Sequence, residues 1–161
     1  MDAEFVTKLD DCAAELQKIK KRIDKDQFDE MVKFLQRYAI IKACGTIETV
    51  VKNMIADHVD AGTSQELQNY IAGRVRDSST NPNTGNISSL LGEFSPRTWK
   101  ASFDEKVKQH GNEKISLNSL VQLRNDFAHG KSPNTTINNI ILYFEHARVI
   151  MTLVDETLNG I

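Results

Sequence analysis

Cysteine, proline and tryptophan are scarce in this chain, at two, three and one residues in 161, and neither sign of charge is in clear excess. Each shortage excludes something. Cys12 and Cys44 lie far apart and form no C-x-x-C pair, which argues against a disulfide framework or a thiolate zinc site and reads as two reduced structural thiols. Lys and Arg number 20 against 22 Asp and Glu, a formal charge of -2, so no whole-protein field draws the chain onto nucleic acid and any such contact must use a local patch. No apolar run approaches the roughly 20 residues that span a bilayer. The start, "MDAEFVTKLDDCAAEL", is acidic and amphipathic and has no basic n-region, so it reads as a mature cytosolic beginning and the expected location is cytoplasmic. The four histidines, His58, His110, His129 and His146, show neither H-x-x-x-H nor H-E-x-x-H spacing, so neither a metal nor any other cofactor is expected.

What is present is helical periodicity almost throughout, with 40% hydrophobic and 26% charged residues, the ordinary globular balance. No segment alternates with period two for long enough to be a strand. The expectation is an all-α bundle, with two long helices, several shorter ones and no significant sheet, built as one domain over residues 1–161. Helices are expected at about 2–22, 25–60 and 64–76. The stretch "DSSTNPNTGN", residues 77–86, collects turn formers and reads as a flexible loop within the domain. Short helices follow at about 87–94 and from Pro96, the latter interrupted by "HGNEK" at 110–114. A helix over 116–129 stops at Gly130 with Pro133 beyond, and a last helix over 136–158 repeats Ile137, Ile140, Ile141, Phe144, Ala147, Met151 and Val154 on one face.

The helix ending in "LRNDFAHGKSP" carries the chemistry. At about 100° per residue, Leu117, Leu120, Val121, Leu123, Phe127 and Ala128 make an apolar arc beside a polar stripe of Asn118, Gln122, Asn125 and His129, with Ser119 and Asp126 pointing away. Arg124 falls near the middle of the apolar arc. A guanidinium cannot be neutralised, so it must be paired, solvated through a gap or set against a partner surface. The second helix holds a matching anomaly. Ile40, Cys44, Ile47, Val50, Val51 and Met54 define its buried side, and Glu48 sits at the margin between Ile41 and Ile55. A buried Glu48–Arg124 ion pair is then the structural expectation for both anomalies, and it leaves a functional role for the arginine open.

His129 stands at a helix C-terminus, where the dipole favours imidazolium, and histidine titrates near enough to neutrality to act as acid or base. Arg124 and His129 diverge by about 140° on an ideal helix, too far to grip one phosphate together. Either the last turn unwinds at Gly130, or two copies of the motif face each other. Other patterns carry less. "GKS" at 130–132 lacks the glycine and the strand of a phosphate-binding loop, and "KIKKR" at 18–22 reads as a solvated face. His58 and His110 look like helix-end residues, and His146 like a solvated one.

Arg124-Asn125-x-x-x-His129, closing a helix before Gly130, resembles the R-polar-x(3–5)-H motif of the HEPN superfamily, and the long second helix with Glu48 and the last helix fit as well. The chain looks most like the small standalone bacterial members of the RiboL-PSP type. The resemblance implies a homodimer whose two motifs meet in a cleft and cut RNA without a metal. It implies that Arg124 holds the scissile phosphate, His129 transfers protons and Asn125 orients the site, with Glu48 and Asp126 in support. The resulting expectation is a metal-independent endoribonuclease that cuts single-stranded RNA by 2′-hydroxyl attack, in a toxin, defence or RNA-processing setting. Its expected partners are a second copy, RNA, and an antitoxin or regulatory protein, with no membrane. The alternative is a non-catalytic helical interaction module.

Overall fold

The computed structural model describes residues 1–131 and 134–161, so Ser132 and Pro133 of the expected helix stop lie outside the described residues. Among the described residues there are seven α-helices: α1 (Ala3–Lys25), α2 (Met31–Asp60), α3 (Gln65–Ile71), α4 (Thr84–Phe94), α5 (Ala101–Gln109), α6 (Gly111–Ala128) and α7 (Ile137–Leu158). Single π-helical turns, Ala72–Arg76 and Pro96–Lys100, extend α3 and lead into α5. The protein is all-α, with no strand among the described residues.

Apolar periodicity decides the packing. The four long helices α1, α2, α6 and α7 bury their stripes against one another, while α3 and its π turn lie on α2, and α4 and α5 close over α6 and α7. The expected buried side of α2 is buried in full, and of the α7 face only Ile141 stays half-exposed. Leu9, Leu16, Ile47, Ile55, Leu117, Leu120 and Phe144 are essentially sealed from solvent, each contributing about 1.5–3 kcal/mol of burial. Both cysteines are free and buried.

Three boundaries move, each for a local reason. Asp26 accepts from Phe28 N at 3.1 Å and Asp29 from Met31 N at 2.8 Å, so a turn forms where continuous helix was expected and α2 starts at Met31 rather than near residue 25. "HGNEK" does not interrupt the chain for five residues. His110 alone breaks it, and α6 begins at Gly111 with Glu113 in the first turn, where a carboxylate suits the helix dipole. The 77–86 loop is also shorter than expected. Asn83 caps α4 by accepting from Asn86 N at 2.8 Å, which starts the helix at Thr84.

Candidate functional site

The C-terminus of α6 is capped, not unwound. Gly130 takes φ +78°, Gly130 N donates to Phe127 O at 2.9 Å and Lys131 N to Asp126 O at 2.9 Å. These two bonds make a Schellman cap, in which glycine supplies the left-handed residue. His129 is therefore held at the helix end, exposed, with φ -92° and ψ 17°. The unwinding that would swing it toward Arg124 does not occur, and the two side chains leave the helix on different sides. Asn125 is half-buried between them in sequence. Asp126 accepts from Lys131 Nζ at 3.1 Å and Gln122 Nε2 at 3.0 Å, and these donors hold its carboxyl below the usual carboxylate range.

The expected Glu48–Arg124 ion pair does not form. Glu48 Oε1 accepts instead from Lys52 Nζ, 2.8 Å away on the next turn of α2, and from Thr80 N at 3.3 Å. Of that pair Lys52 is the deeper member, with its side chain 8% exposed against 19% for Glu48. Its ammonium also donates to Ser78 O. Of the two isoleucines that flank Glu48, Ile41 is 47% exposed, so only Ile55 marks a buried face. An ammonium one turn away reaches the carboxylate with no tertiary rearrangement.

Arg124 is half-buried and makes no salt bridge among the described residues. Its Nη1 donates to the Asn81 side-chain carbonyl. A neutral acceptor orients the guanidinium without cancelling its charge, which leaves the site cationic. Next to it lies the Cys44 thiol, pushed up to about 12 chiefly by burial and pulled down in part by the charge of Arg124. Cys44 Sγ donates to Leu120 O at 3.4 Å, so it serves α2–α6 packing.

Three residues that frame the site were not singled out from sequence: Lys52, Asn81 and Asn118. Lys52 was readable as the i+4 partner of Glu48. Asn118 Oδ1 accepts from Thr84 N at 3.0 Å and Thr84 Oγ1 at 3.2 Å, tying the start of α4 to α6. Its place on the polar stripe was visible, whereas this partner and the role of Asn81 depend on contacts between distant segments. Together Glu48, Lys52, Arg124 and Asn118 pin residues 78–84, the stretch expected to be a flexible loop, against α2 and α6.

The remaining histidines sort simply. His58 meets Trp99 edge-on at 5.3 Å, and His110 lies 3.7 Å from Glu113. His146 departs from the solvated reading: it is half-buried, with Nδ1 2.7 Å from Ser116 Oγ. Among the described residues no three His, Cys, Asp or Glu side chains converge as a metal site would need, and no helix is long and apolar enough to cross a membrane.

The all-α bundle thus closes its sixth helix on Arg-Asn-x-x-x-His, with Arg124 half-buried and His129 exposed, an arrangement similar to that of HEPN-type proteins. The family model of RiboL-PSP-HEPN matches residues 7–160, and the chain belongs to that family. No curated protein and no solved structure matches it significantly.

Proposed function

We propose that the protein is a metal-independent endoribonuclease acting on single-stranded RNA, working as a single domain in a homodimer. The observation that carries this reading is the state of Arg124: a half-buried guanidinium at the end of the motif helix, oriented by Asn81 and neutralised by no carboxylate among the described residues. Such a group suits the doubly bonded grip of a phosphate. His129, exposed at the helix end, supplies the proton transfer, and Asn125 orients the site between them. The 2′-hydroxyl of RNA already lies beside its phosphate, so its attack avoids the entropy of capturing a water. His129 takes the 2′-hydroxyl proton, the 2′ oxygen bonds to phosphorus, and the 5′ oxygen leaves with a proton from the opposing histidine. Arg124 stabilises the charge that builds on the phosphoryl oxygens. The products are a 2′,3′-cyclic phosphate and a 5′-hydroxyl.

A second copy is needed because one helix cannot bring its own Arg124 and His129 onto one phosphate. Support for it comes from α2, where Met31, Phe34, Tyr38 and Ile41 form an exposed apolar stripe, with Phe28 98% exposed just before it. Arg37 joins that stripe to the motif helix, its guanidinium 5.8 Å from the Phe34 ring and 5.3 Å from the Phe127 ring. A two-fold contact on this face sets two α6 ends close together. Phe34→Glu should then turn a dimer into a monomer in sedimentation and reduce cleavage. A monomeric wild type at micromolar concentration sinks the arrangement.

The stripe alone would equally serve a non-cutting interaction module, so turnover decides between them. Wild type and His129→Ala are compared on a mixed RNA pool in EDTA. Cleavage by the wild type alone, with cyclic phosphate ends and none on 2′-deoxy substrate, is expected. Activity that requires Mg²⁺ and leaves 5′-phosphates, or that survives His129→Ala, excludes the mechanism. A toxin, defence or RNA-processing role in the cytoplasm, with an antitoxin or regulator as partner, follows if expression is toxic and His129→Ala relieves it.

A further inference from the structure

Beside the Arg124 contact lies a polar cavity of about 390 Å³ between residues 78–81 and the outer face of α4. Its size falls in the range of small-ligand sites. Ser79, Asn81, Asn86, Ser89 and Leu90 line it together with an Arg74–Glu93 ion pair of 2.9 Å. The hydrogen-bonding groups there are only partly used. Asn81 spends its side-chain carbonyl on Arg124, and Asn86 Nδ2 donates to Asn81 O at 2.9 Å. Asn81 Nδ2, Asn86 Oδ1 and the Ser79 and Ser89 hydroxyls make no hydrogen bond among the described residues, which leaves an amide donor, an amide acceptor and two hydroxyls around one hollow.

We propose that this cavity reads the nucleobase next to the scissile phosphate, and that Asn81 is the positioning residue that joins the base pocket to Arg124; the proposal rests on the nuclease reading above. The chemistry of the lining selects the ligand. A base edge carries in-plane donors and acceptors, which side-chain amides and hydroxyls match in either sense. Single-stranded RNA is recognised mainly through unstacked bases bonded along such edges. Leu90 adds an apolar wall against which the flat ring can lie. The pocket is also braced: Thr80 N is held by Glu48, Ser78 O by Lys52, and Thr84 N by Asn118. A rigid wall fixes hydrogen-bond directions before the substrate arrives, which discrimination between bases requires. This also gives the part-buried Glu48–Lys52 pair a task, since it anchors the segment that carries Asn81.

The test has a binding arm and a cleavage arm, both on the full chain. The binding arm titrates 2′-O-methyl dinucleotides, which cannot be cut, carrying each of the four bases. The proteins are wild type, Asn81→Ala and Ser89→Leu. Ser89 lies exposed on α4 and makes no side-chain hydrogen bond among the described residues, so the leucine fills the cavity on a folded protein, checked by circular dichroism. The wild type should separate the best base from the worst by about tenfold, the worth of one or two net hydrogen bonds. Ser89→Leu should bring the four within about twofold.

In the cleavage arm, wild-type cuts should follow the same base preference, and Ser89→Leu should lose that preference. Asn81→Ala should lower kcat more than it raises KM, and Asn81→Asp, whose carboxylate would cancel the charge of Arg124, should not restore kcat. Base-independent binding by wild type, or a preference that survives Ser89→Leu, overturns the pocket while the nuclease reading stands. Base-selective binding that Ser89→Leu abolishes, by a wild type that does not cut, keeps the pocket and overturns the nuclease.

Discussion

Two places in the molecule put charge on an otherwise apolar helix face, and the fold treats them in opposite ways. In the middle of α2, Lys52 is buried and closes a 2.8 Å bridge to Glu48 while also donating to Ser78 O. At the end of α6, Arg124 is oriented by a neutral amide and keeps its charge. The first arrangement spends its charges on holding a loop. The second leaves one at the surface of the candidate site. The contrast separates a misplaced charge that is structural from one that is available for a ligand, and burial alone does not distinguish them. The partner does.

The largest effect that would break this contrast is on activity. Arg124→Ala and His129→Ala should each lower RNA cleavage by about 10²–10⁴-fold, the usual worth of a placed proton-transfer or charge-stabilising group. His129→Ala should move stability by only about 0.5 kcal/mol or less, as for an exposed side chain away from the core. Cleavage rates read beside a urea melt check both, and an unfolded His129→Ala protein would place the histidine on the structural side.

Next comes Glu48→Ala, which leaves the Lys52 ammonium without its carboxylate in a nearly dry position. Chemical denaturation should show a loss of about 3–5 kcal/mol, the range for one partner removed from a buried pair. The double change Glu48→Leu with Lys52→Met should recover much of that loss, because no uncompensated charge remains. A loss near zero in the single variant would show that the pair is solvated.

A third measurement uses Cys44, whose thiol feels the charges of both Arg124 and Glu48. Burial raises its thiol from 9.0 to about 12 in the folded chain, so the fold binds that proton more tightly than the unfolded state does. The associated stability is complete below pH 9 and lost as pH rises toward 12, by up to about 1.4 kcal/mol per pH unit. Urea melts at pH 8 to 11 should follow that slope, and the native thiol should resist alkylation until the chain unfolds. The smallest effect is at Gly130, where φ +78° penalises a side chain. Gly130→Ala should cost about 1–2 kcal/mol and loosen the cap that fixes His129, read as a lower melting temperature.

Much of this architecture follows from short-range rules that act along the chain. The buried side of α2, the face of α7 and the glycine stop after His129 are set by apolar spacing and by the conformational freedom of one residue, which is why they were legible in advance. The motif Arg124-Asn125-x-x-x-His129 is likewise contiguous, and its family follows from it. Partner choice obeys a different rule. A charge pairs with whatever the folded chain brings within a few ångströms, and Glu48 is held by its i+4 neighbour Lys52 rather than by a residue of α6. Arg124 received Asn81, 43 residues away in a stretch with no periodicity to reveal it. The α6 cap, by contrast, is local, but whether it frays or holds depends on bonds whose geometry no residue pattern states. Local order was therefore written in the sequence. The assignment of one charge to structure and the other to the candidate site was decided only when distant segments met.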